Sequence, residues 1–272
     1  MTNKLGLYEK AMPDVPWREK LQAAREAGFD FVEMSVDESA ARLARLDWTA
    51  AQRRELLETC RDIGLHVETM CLSGHRKFPL GSSNPTTEER SLDIMQKAIE
   101  LARDLEIGII QLAGYDVYYD ETPTPETRER FTRNLARSAK MAASANVVLA
   151  LETMENDFLN TITKGMDFVR KVGSPFLQMY PDMGNVTNGA VDVAADIESG
   201  RGHIAAAHLK ETVPGVFRDM MFGDGRVDFA LVTRLLREQG VTRYTAEFWH
   251  DGGDDWREKL KFVHDFLRPF LN

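Results

Sequence analysis

Four residues in the second half of the chain have side chains that commonly bind a divalent metal ion: Glu152, Asp182, His208 and Glu247. Each stands at or beside the C-terminal end of a separate short apolar run, such as residues 147–152. If each run is a buried parallel strand, the four side chains meet at one edge of the sheet. The sequence therefore predicts one metal centre, with one ligand from each of four consecutive strands.

The residue types limit which metal this centre could hold. Carboxylate oxygens and an imidazole nitrogen suit Zn²⁺, Mn²⁺, Co²⁺ or Mg²⁺, and the set lacks the thiolates of structural zinc sites. Any one of the four, taken alone, is more often a structural residue than a ligand. Together, however, unpaired carboxylates would repel one another by about 4 kcal/mol per pair at roughly 4 Å and an effective dielectric constant near 20. We therefore expect one divalent metal ion as cofactor.

The elements that must position these ligands follow from the hydrophobic pattern. Eight short apolar runs alternate with amphipathic stretches of helical period, which predicts repeated strand–helix units and an α/β fold. The predicted strands cover residues 5–8, 31–34, 67–71, 107–112, 147–152, 177–180, 204–208 and 244–247. The predicted helices lie near residues 16–27, 49–63, 86–105, 125–144, 161–172, 190–199, 228–239 and 254–269.

Eight such units without a Pro/Gly/Ser-rich linker favour one (β/α)8 barrel domain over residues 1–272, with its active mouth at the C-terminal strand ends. The alternative is an open doubly wound sheet, whose dinucleotide-binding form requires an early GxGxxG turn that this sequence lacks. Thr49, Thr86 and Thr124 are predicted to cap the starts of three helices. Four glycines are each predicted to follow a helix by a residue or two in the left-handed conformation: Gly28, Gly64, Gly173 and Gly240.

Composition excludes several classes of partner. The formal net charge of -9 over 272 residues makes nucleic acid a poor partner, because an acidic surface repels phosphodiester groups. Neither a signal peptide nor a long uncharged apolar stretch is present, so we expect a cytoplasmic protein without a membrane span. The two cysteines, Cys60 and Cys71, lack CxxC spacing and are predicted to be reduced and buried, with a place in the wall of the mouth as the alternative for Cys71.

Several longer blocks carry a family resemblance. They include residues 28–38 (GFDFVEMSVDE), 111–119 (QLAGYDVYY), 180–185 (YPDMGN) and 222–229 (FGDGRVDF). With these blocks, nearly the whole chain resembles the bacterial L-ribulose-5-phosphate 3-epimerases, also called L-xylulose-5-phosphate 3-epimerases. The resemblance implies a xylose-isomerase-like barrel, a homodimer, and a metal held by the four ligands named above.

The resemblance also implies the reaction and the roles of two residues. Glu152 and Glu247 would be the acid/base pair that removes and returns the C3 proton of a ketose phosphate, through an enediolate. Asn185 stands where many members of the wider superfamily have a histidine, which disfavours the multi-zinc DNA-repair endonucleases. An aldose–ketose isomerase, an epimerase of unphosphorylated ketoses and a non-catalytic sugar-phosphate-binding protein remain as alternatives.

A phosphorylated substrate requires cationic donors at the mouth of the barrel, and polar side chains on the strands could bind its hydroxyl groups. Glu33 and Gln111 are candidates for the hydroxyl groups, with a supporting structural role as an equal alternative. The candidates for the phosphate group follow strands 3 and 7: His75, Arg76, Lys210 and Arg218.

Overall fold

The barrel is described by a computed structural model, which covers residues 2–218 and 220–272. Its eight strands pair in the order β6-β5-β4-β3-β2-β1-β8-β7, and each neighbouring pair is parallel. The strands are β1 (Lys4–Tyr8), β2 (Phe31–Val36), β3 (His66–Leu72), β4 (Ile109–Ala113), β5 (Val148–Glu152), β6 (Leu177–Met179), β7 (Ala207–Leu209) and β8 (Arg243–Ala246).

Single bridges rather than a continuous ladder close the sheet between β6 and β7. Parallel bridges pair Met179 with Ile204 and Asp182 with His208, and the backbone N–H of His208 donates to the carbonyl of Pro181 at 3.0 Å. Residues 204–206 therefore contribute one bridge only, and the predicted strand 204–208 is shorter than expected. With this closure the (β/α)8 prediction is confirmed.

Ten α-helices lie among the described residues. They are α1 (Trp17–Ala27), α2 (Ala40–Leu43), α3 (Ala50–Ile63), α4 (Pro85–Asp104), α5 (Pro125–Ala145), α6 (Ile162–Val172), α7 (Met183–Gly189), α8 (Val193–Ser199), α9 (Phe229–Glu238) and α10 (Trp256–Leu267). All eight predicted helices are present, while the short helices α2 and α7 were not predicted. None of the helices in residues 2–218 and 220–272 combines the length and apolar character needed to cross a bilayer.

The helix ends follow the predicted cap chemistry with one exception. Thr49 and Thr124 each accept a bond from the backbone three residues later, as predicted. The Thr86 prediction is wrong, because Asn84 caps α4 and its side chain accepts from Thr86 N at 2.9 Å. Pro85 then occupies the first helical position, where its missing N–H costs nothing. All four predicted glycines have a positive φ: Gly28, Gly64 and Gly173 at the C-caps of their helices, and Gly240 two residues after the end of α9.

The interior of the barrel changes from apolar to polar along the strands. Ile109 and Ala206 are buried at the N-terminal side, in one cluster with Ala150 and Tyr180. Two residues further along the chain from each lie Gln111 and His208, both completely buried. Because alternate residues of a strand share a face, these polar side chains point into the same space as the apolar ones beneath them. The fold thus places buried polar groups at the C-terminal mouth.

Candidate active site

The barrel brings the four predicted ligands together. Glu152 ends β5, Asp182 precedes α7, His208 lies in β7 and Glu247 directly follows β8. All four are buried, and one ligand atom from each lies within 4.8 Å of the others. His208 Nδ1 is 2.8 Å from Glu152 Oε1 and 3.1 Å from Glu247 Oε2. We call these four residues the ligand cluster.

The ligand cluster has the chemistry of a metal site. Asp182 Oδ1 accepts the backbone N–H of Asn185 at 2.7 Å and so caps α7, which leaves Oδ2 for another partner. Asp182 Oδ2 and Glu247 Oε2 are buried and accept no well-formed hydrogen bond from the described residues, although Lys210 Nζ lies 2.8 Å from the former and His208 Nδ1 3.1 Å from the latter. Buried carboxylate oxygens without a well-formed hydrogen bond are costly. The residues present therefore fit one divalent cation.

The electrostatics of the cluster show an excess of negative charge. Burial raises the pKa of Glu152, and the nearby Glu247 raises it further. Burial would also raise the pKa of Glu247, but Lys210 and His208 outweigh it and hold that pKa well below its usual range. Burial would lower the pKa of His208, yet the neighbouring carboxylates outweigh it and raise that pKa. A bound cation would replace the protons that balance this charge.

Two of the predicted substrate-binding residues lie behind the ligands. Glu33 Oε1 is 2.6 Å from His208 Nε2, and Gln111 Nε2 donates to Glu152 Oε2. Both side chains are completely buried, and neither is among the described residues that line the cavity above the cluster. Their positions correspond to the supporting role that the sequence left open.

A cavity of about 460 Å³ opens above the ligand cluster, with Glu152 and Glu247 in its wall. An arginine lies over each of two aromatic rings in this wall. The guanidinium of Arg76 is 5.4 Å from the ring centroid of Tyr118, and that of Arg218 is 5.2 Å from the ring centroid of Trp249. The cavity is thus polar and charged, and large enough for a small sugar phosphate. Its basic side chains are Lys10, Arg76, Lys210 and Arg218.

Three of the four predicted phosphate-binding residues line the cavity, and the fourth, His75, does not. Arg76 and Arg218 line the cavity beside its aromatic walls. Lys210 also lines it, but its ammonium group is tied to the ligand cluster and donates to Asn185 Oδ1 at 3.2 Å. His75 is outside the lining and buried, and its Nε2–H donates to the carbonyl of Ser91 at 3.0 Å. Burial lowers the pKa of His75 to about 4, so this residue is neutral at pH 7.

Several residues of the cavity were not predicted. Tyr8 ends β1 and Trp249 follows β8, and their rings meet edge to face with centroids 6.1 Å apart. Lys10 lines the cavity and pairs with Asp37 Oδ2 at 2.5 Å. Cys71 is buried, as the sequence favours, and it also lines the cavity, which was the alternative for this residue. Tyr8, Lys10 and Trp249 stand at or just beyond a strand end, and this position is the only signal in the sequence that could have identified them.

Comparisons with known proteins agree with this geometry. A family model described as the xylose isomerase-like TIM barrel matches residues 21–269. The L-ribulose-5-phosphate 3-epimerase UlaE of Escherichia coli (strain SMS-3-5 / SECEC) is 44% identical over 266 residues, which span 97% of this chain and 93% of that protein.

Solved structures at lower identity share the fold. An L-ribulose 3-epimerase has a TM-score of 0.81 at 22% identity, covering 100% of this chain and 95% of that one. The D-psicose 3-epimerase of Clostridium cellulolyticum H10 has a TM-score of 0.81 at 18% identity, covering 99% of both chains. The protein therefore belongs to the xylose isomerase-like TIM-barrel family and, within it, to the L-ribulose-5-phosphate 3-epimerases.

Proposed function

We propose that this protein is a metal-dependent 3-epimerase that interconverts L-ribulose 5-phosphate and L-xylulose 5-phosphate. The observation that carries the proposal is the convergence of four buried ligand atoms within 4.8 Å at the base of a polar cavity. The identity of 44% to a relative named for this reaction supports the choice of substrate.

The metal requirement is part of this proposal. Glu152, Asp182, His208 and Glu247 would hold one divalent ion, a Lewis acid for the C2 carbonyl that lowers the cost of removing the C3 proton. Oxygen and nitrogen ligands suit Zn²⁺, Mn²⁺, Co²⁺ or Mg²⁺. Lys210, whose Nζ is 3.8 Å from Glu247 Oε2, adds a fixed positive charge beside the reaction centre.

Glu152 and Glu247 are proposed as the acid/base pair. Glu152 ends β5 and Glu247 directly follows β8, the two outer strands of the arc that carries the ligand cluster, and both residues line the cavity. A planar substrate between them would present one face to each carboxyl group. One group takes the C3 proton and the other delivers a proton to the opposite face, which inverts the carbon. Gln111 fixes the orientation of Glu152 by donating to Oε2.

The phosphate group is assigned to the basic rim of the cavity. Arg76 lies against the ring of Tyr118 and Arg218 against that of Trp249, and neither guanidinium forms an ion pair with a carboxylate within residues 2–218 and 220–272. Guanidinium groups bind phosphate oxygens through paired N–H donors. Lys210 is committed to Asp182, so we assign it to the reaction centre rather than to the phosphate.

Proton NMR in D₂O with L-xylulose 5-phosphate tests this proposal, with the metal-stripped protein supplied in turn with Mn²⁺, Co²⁺, Zn²⁺ or Mg²⁺. The proposal predicts deuterium at C3 together with formation of L-ribulose 5-phosphate. Deuterium at C1 or C2 would indicate an aldose–ketose isomerase. Equal rates with unphosphorylated L-xylulose would remove the phosphate from the proposal, and binding without exchange would indicate a non-catalytic sugar-phosphate-binding protein.

We also propose that the protein forms a homodimer, is located in the cytoplasm and consists of a single domain over residues 1–272. Light scattering coupled to size exclusion measures the mass of the assembly directly. A mass of twice 30.8 kDa is expected for the homodimer.

A further inference from the structure

Glu33 connects the first half of the barrel to the ligand cluster in the second half. It lies in β2, is completely buried, and its Oε1 is 2.6 Å from His208 Nε2. Its other oxygen, Oε2, accepts from Thr69 Oγ1 at 2.7 Å and from the Tyr180 hydroxyl at 2.9 Å. Donors from three other segments therefore fix the Glu33 carboxylate in one position.

The contact with Glu33 determines which nitrogen of His208 is available. A carboxylate oxygen only accepts, so Nε2 carries the hydrogen and donates it to Glu33. The other nitrogen, Nδ1, then faces Glu152 and Glu247 at 2.8 and 3.1 Å. In the neutral imidazole that a metal ion requires, Nδ1 bears the lone pair.

The surroundings of Glu33 argue against a role as a general structural anchor. Within residues 2–218 and 220–272, His208 is the only cationic or potentially cationic side chain that pairs with it. Its remaining donors are the neutral hydroxyls of Thr69 and Tyr180. The Glu33 carboxylate is also absent from the described lining of the cavity, so the contact it can influence is the one to His208.

We propose that Glu33 is the positioning residue of the metal centre: it orients the His208 ring, fixes its tautomer and strengthens Nδ1 as a ligand. The inference rests on the proposed function, because it assumes that the ligand cluster holds a divalent ion. A carboxylate that accepts the second N–H of a metal-ligating histidine raises the basicity of the ligating nitrogen.

Calorimetric titration of the metal-stripped protein with Mn²⁺ tests the inference with two substitutions. Glu33→Ala leaves Nε2–H without its acceptor, and we expect the dissociation constant for Mn²⁺ to rise about 10- to 100-fold. Glu33→Gln retains an acceptor oxygen for Nε2–H but loses the charge, so a smaller rise of roughly 3- to 10-fold is expected. If Glu33→Ala does not fold, Glu33→Gln still decides the outcome.

A matched control separates positioning from general damage to the fold. Glu9 is also a completely buried glutamate, and it contacts none of the four ligands in the described structure. Glu9→Gln should lower the melting temperature of the metal-stripped protein and leave the dissociation constant for Mn²⁺ within about twofold. A purely structural Glu33 would behave in the same way as Glu9.

Kinetics at saturating Mn²⁺ provide the second measurement. Glu33→Gln is expected to lower kcat while KM for the ketose phosphate stays within about twofold, because Glu33 does not touch the substrate. Unchanged Mn²⁺ affinity in both Glu33 variants, or a raised KM with unchanged Mn²⁺ affinity, would overturn the inference. Failure of the unsubstituted protein to bind Mn²⁺ or any metal of the panel would instead overturn the metal site of the proposed function.

Discussion

Two buried clusters that contain carboxylates lie at the C-terminal ends of the strands, and they differ in how the negative charge is balanced. Glu9, directly after β1, accepts from Lys20 Nζ at 3.1 Å, from Ser35 N at 2.8 Å and from both terminal nitrogens of Arg45. Burial would raise the pKa of Glu9, but Arg45 and Lys20 outweigh it and lower that pKa. We call Glu9, Lys20 and Arg45 the Glu9 cluster.

The ligand cluster is the opposite case. Three carboxylates are gathered there, and Lys210 is the only lysine or arginine of the described chain that forms an ion pair with them. Asp182 Oδ2 and Glu247 Oε2 still accept no well-formed hydrogen bond from the described residues. The comparison shows that burial alone does not identify a functional carboxylate. The distinguishing property is negative charge that the protein's own cations do not balance.

The largest expected effect concerns the acid/base pair. Glu152→Gln and Glu247→Gln should each slow C3 proton exchange by about 10³-fold or more, because each removes a proton-transfer group and a ligand. NMR in D₂O measures this rate. Glu155→Gln is the control, since Glu155 lines the cavity outside the ligand cluster, and its effect should stay below about tenfold. Exchange near the original rate in either cluster variant would contradict the pairing.

Glu9→Gln should lower the stability of the fold and leave metal binding unchanged. It leaves Lys20 and Arg45 buried without their carboxylate, which typically costs about 3 to 5 kcal/mol of unfolding free energy. Urea denaturation measures this loss, and calorimetry on the same variant should give an unchanged Mn²⁺ affinity. A large loss of metal binding with little loss of stability would reverse the roles assigned to the two clusters.

A third buried group, His75, predicts how the stability of the folded protein depends on pH. The pKa of His75 falls from 6.5 to about 4 on burial, so the unfolded chain binds a proton that the folded protein excludes. The stability should therefore be complete above about pH 6.5 and fall by on the order of 3 kcal/mol as the pH drops to about 4. The pKa of Glu9 is lowered on folding, so its stabilising contribution begins to be lost only as the pH approaches the unfolded value of 4.5, at the acid end of this window.

The variant His75→Gln isolates the contribution of His75 to the pH dependence of the stability. It should flatten the dependence of the unfolding free energy on pH between about 6.5 and 4, as measured by urea denaturation at several pH values. His66→Gln, at the exposed start of β3, is the matched control and should leave the slope unchanged. An equal slope in all three proteins would exclude His75 as its source.

Metal removal should give the smallest of these changes in stability. A divalent ion at 100 times its dissociation constant stabilises the folded state by about 2.7 kcal/mol. Calorimetric melting with and without a chelator should show this gain in the unsubstituted protein and in Glu9→Gln. Asp182→Asn should lose most of the gain, because it removes the negative charge of one of the four proposed ligands. A gain that survives Asp182→Asn would place the metal elsewhere.

The ligand cluster could be predicted from the sequence because its geometry depends on one rule. Parallel strands bring their C-terminal ends to one edge, so a ligand type at each strand end is visible without knowing any pairing. A supporting role for Glu33 was one of two alternatives from the sequence, but its contact with His208 could not be predicted in this way. It depends on Glu33 in β2 facing His208 in β7 across the closed barrel, and the two residues are 175 positions apart.

The sequence also could not predict which way the side chains of a loop point or which of them are buried. His75 and Arg76 are neighbours in the loop after β3, yet Arg76 lines the cavity while His75 is buried against Ser91. A charge pattern cannot distinguish them, because the loop backbone decides which side chain points outward. Helix α7 has only seven residues and was not predicted, although it places the Asp182 carboxylate by using it as a cap.

Anomalous diffraction from crystals of the Zn²⁺-loaded protein tests the central claim most directly. We predict one zinc peak per chain, with ligand distances of roughly 2.0–2.2 Å to carboxylate oxygens of Glu152, Asp182 and Glu247 and to Nδ1 of His208. A peak bound by other residues, or a ligand cluster that stays free of zinc at saturating concentration, would contradict the account.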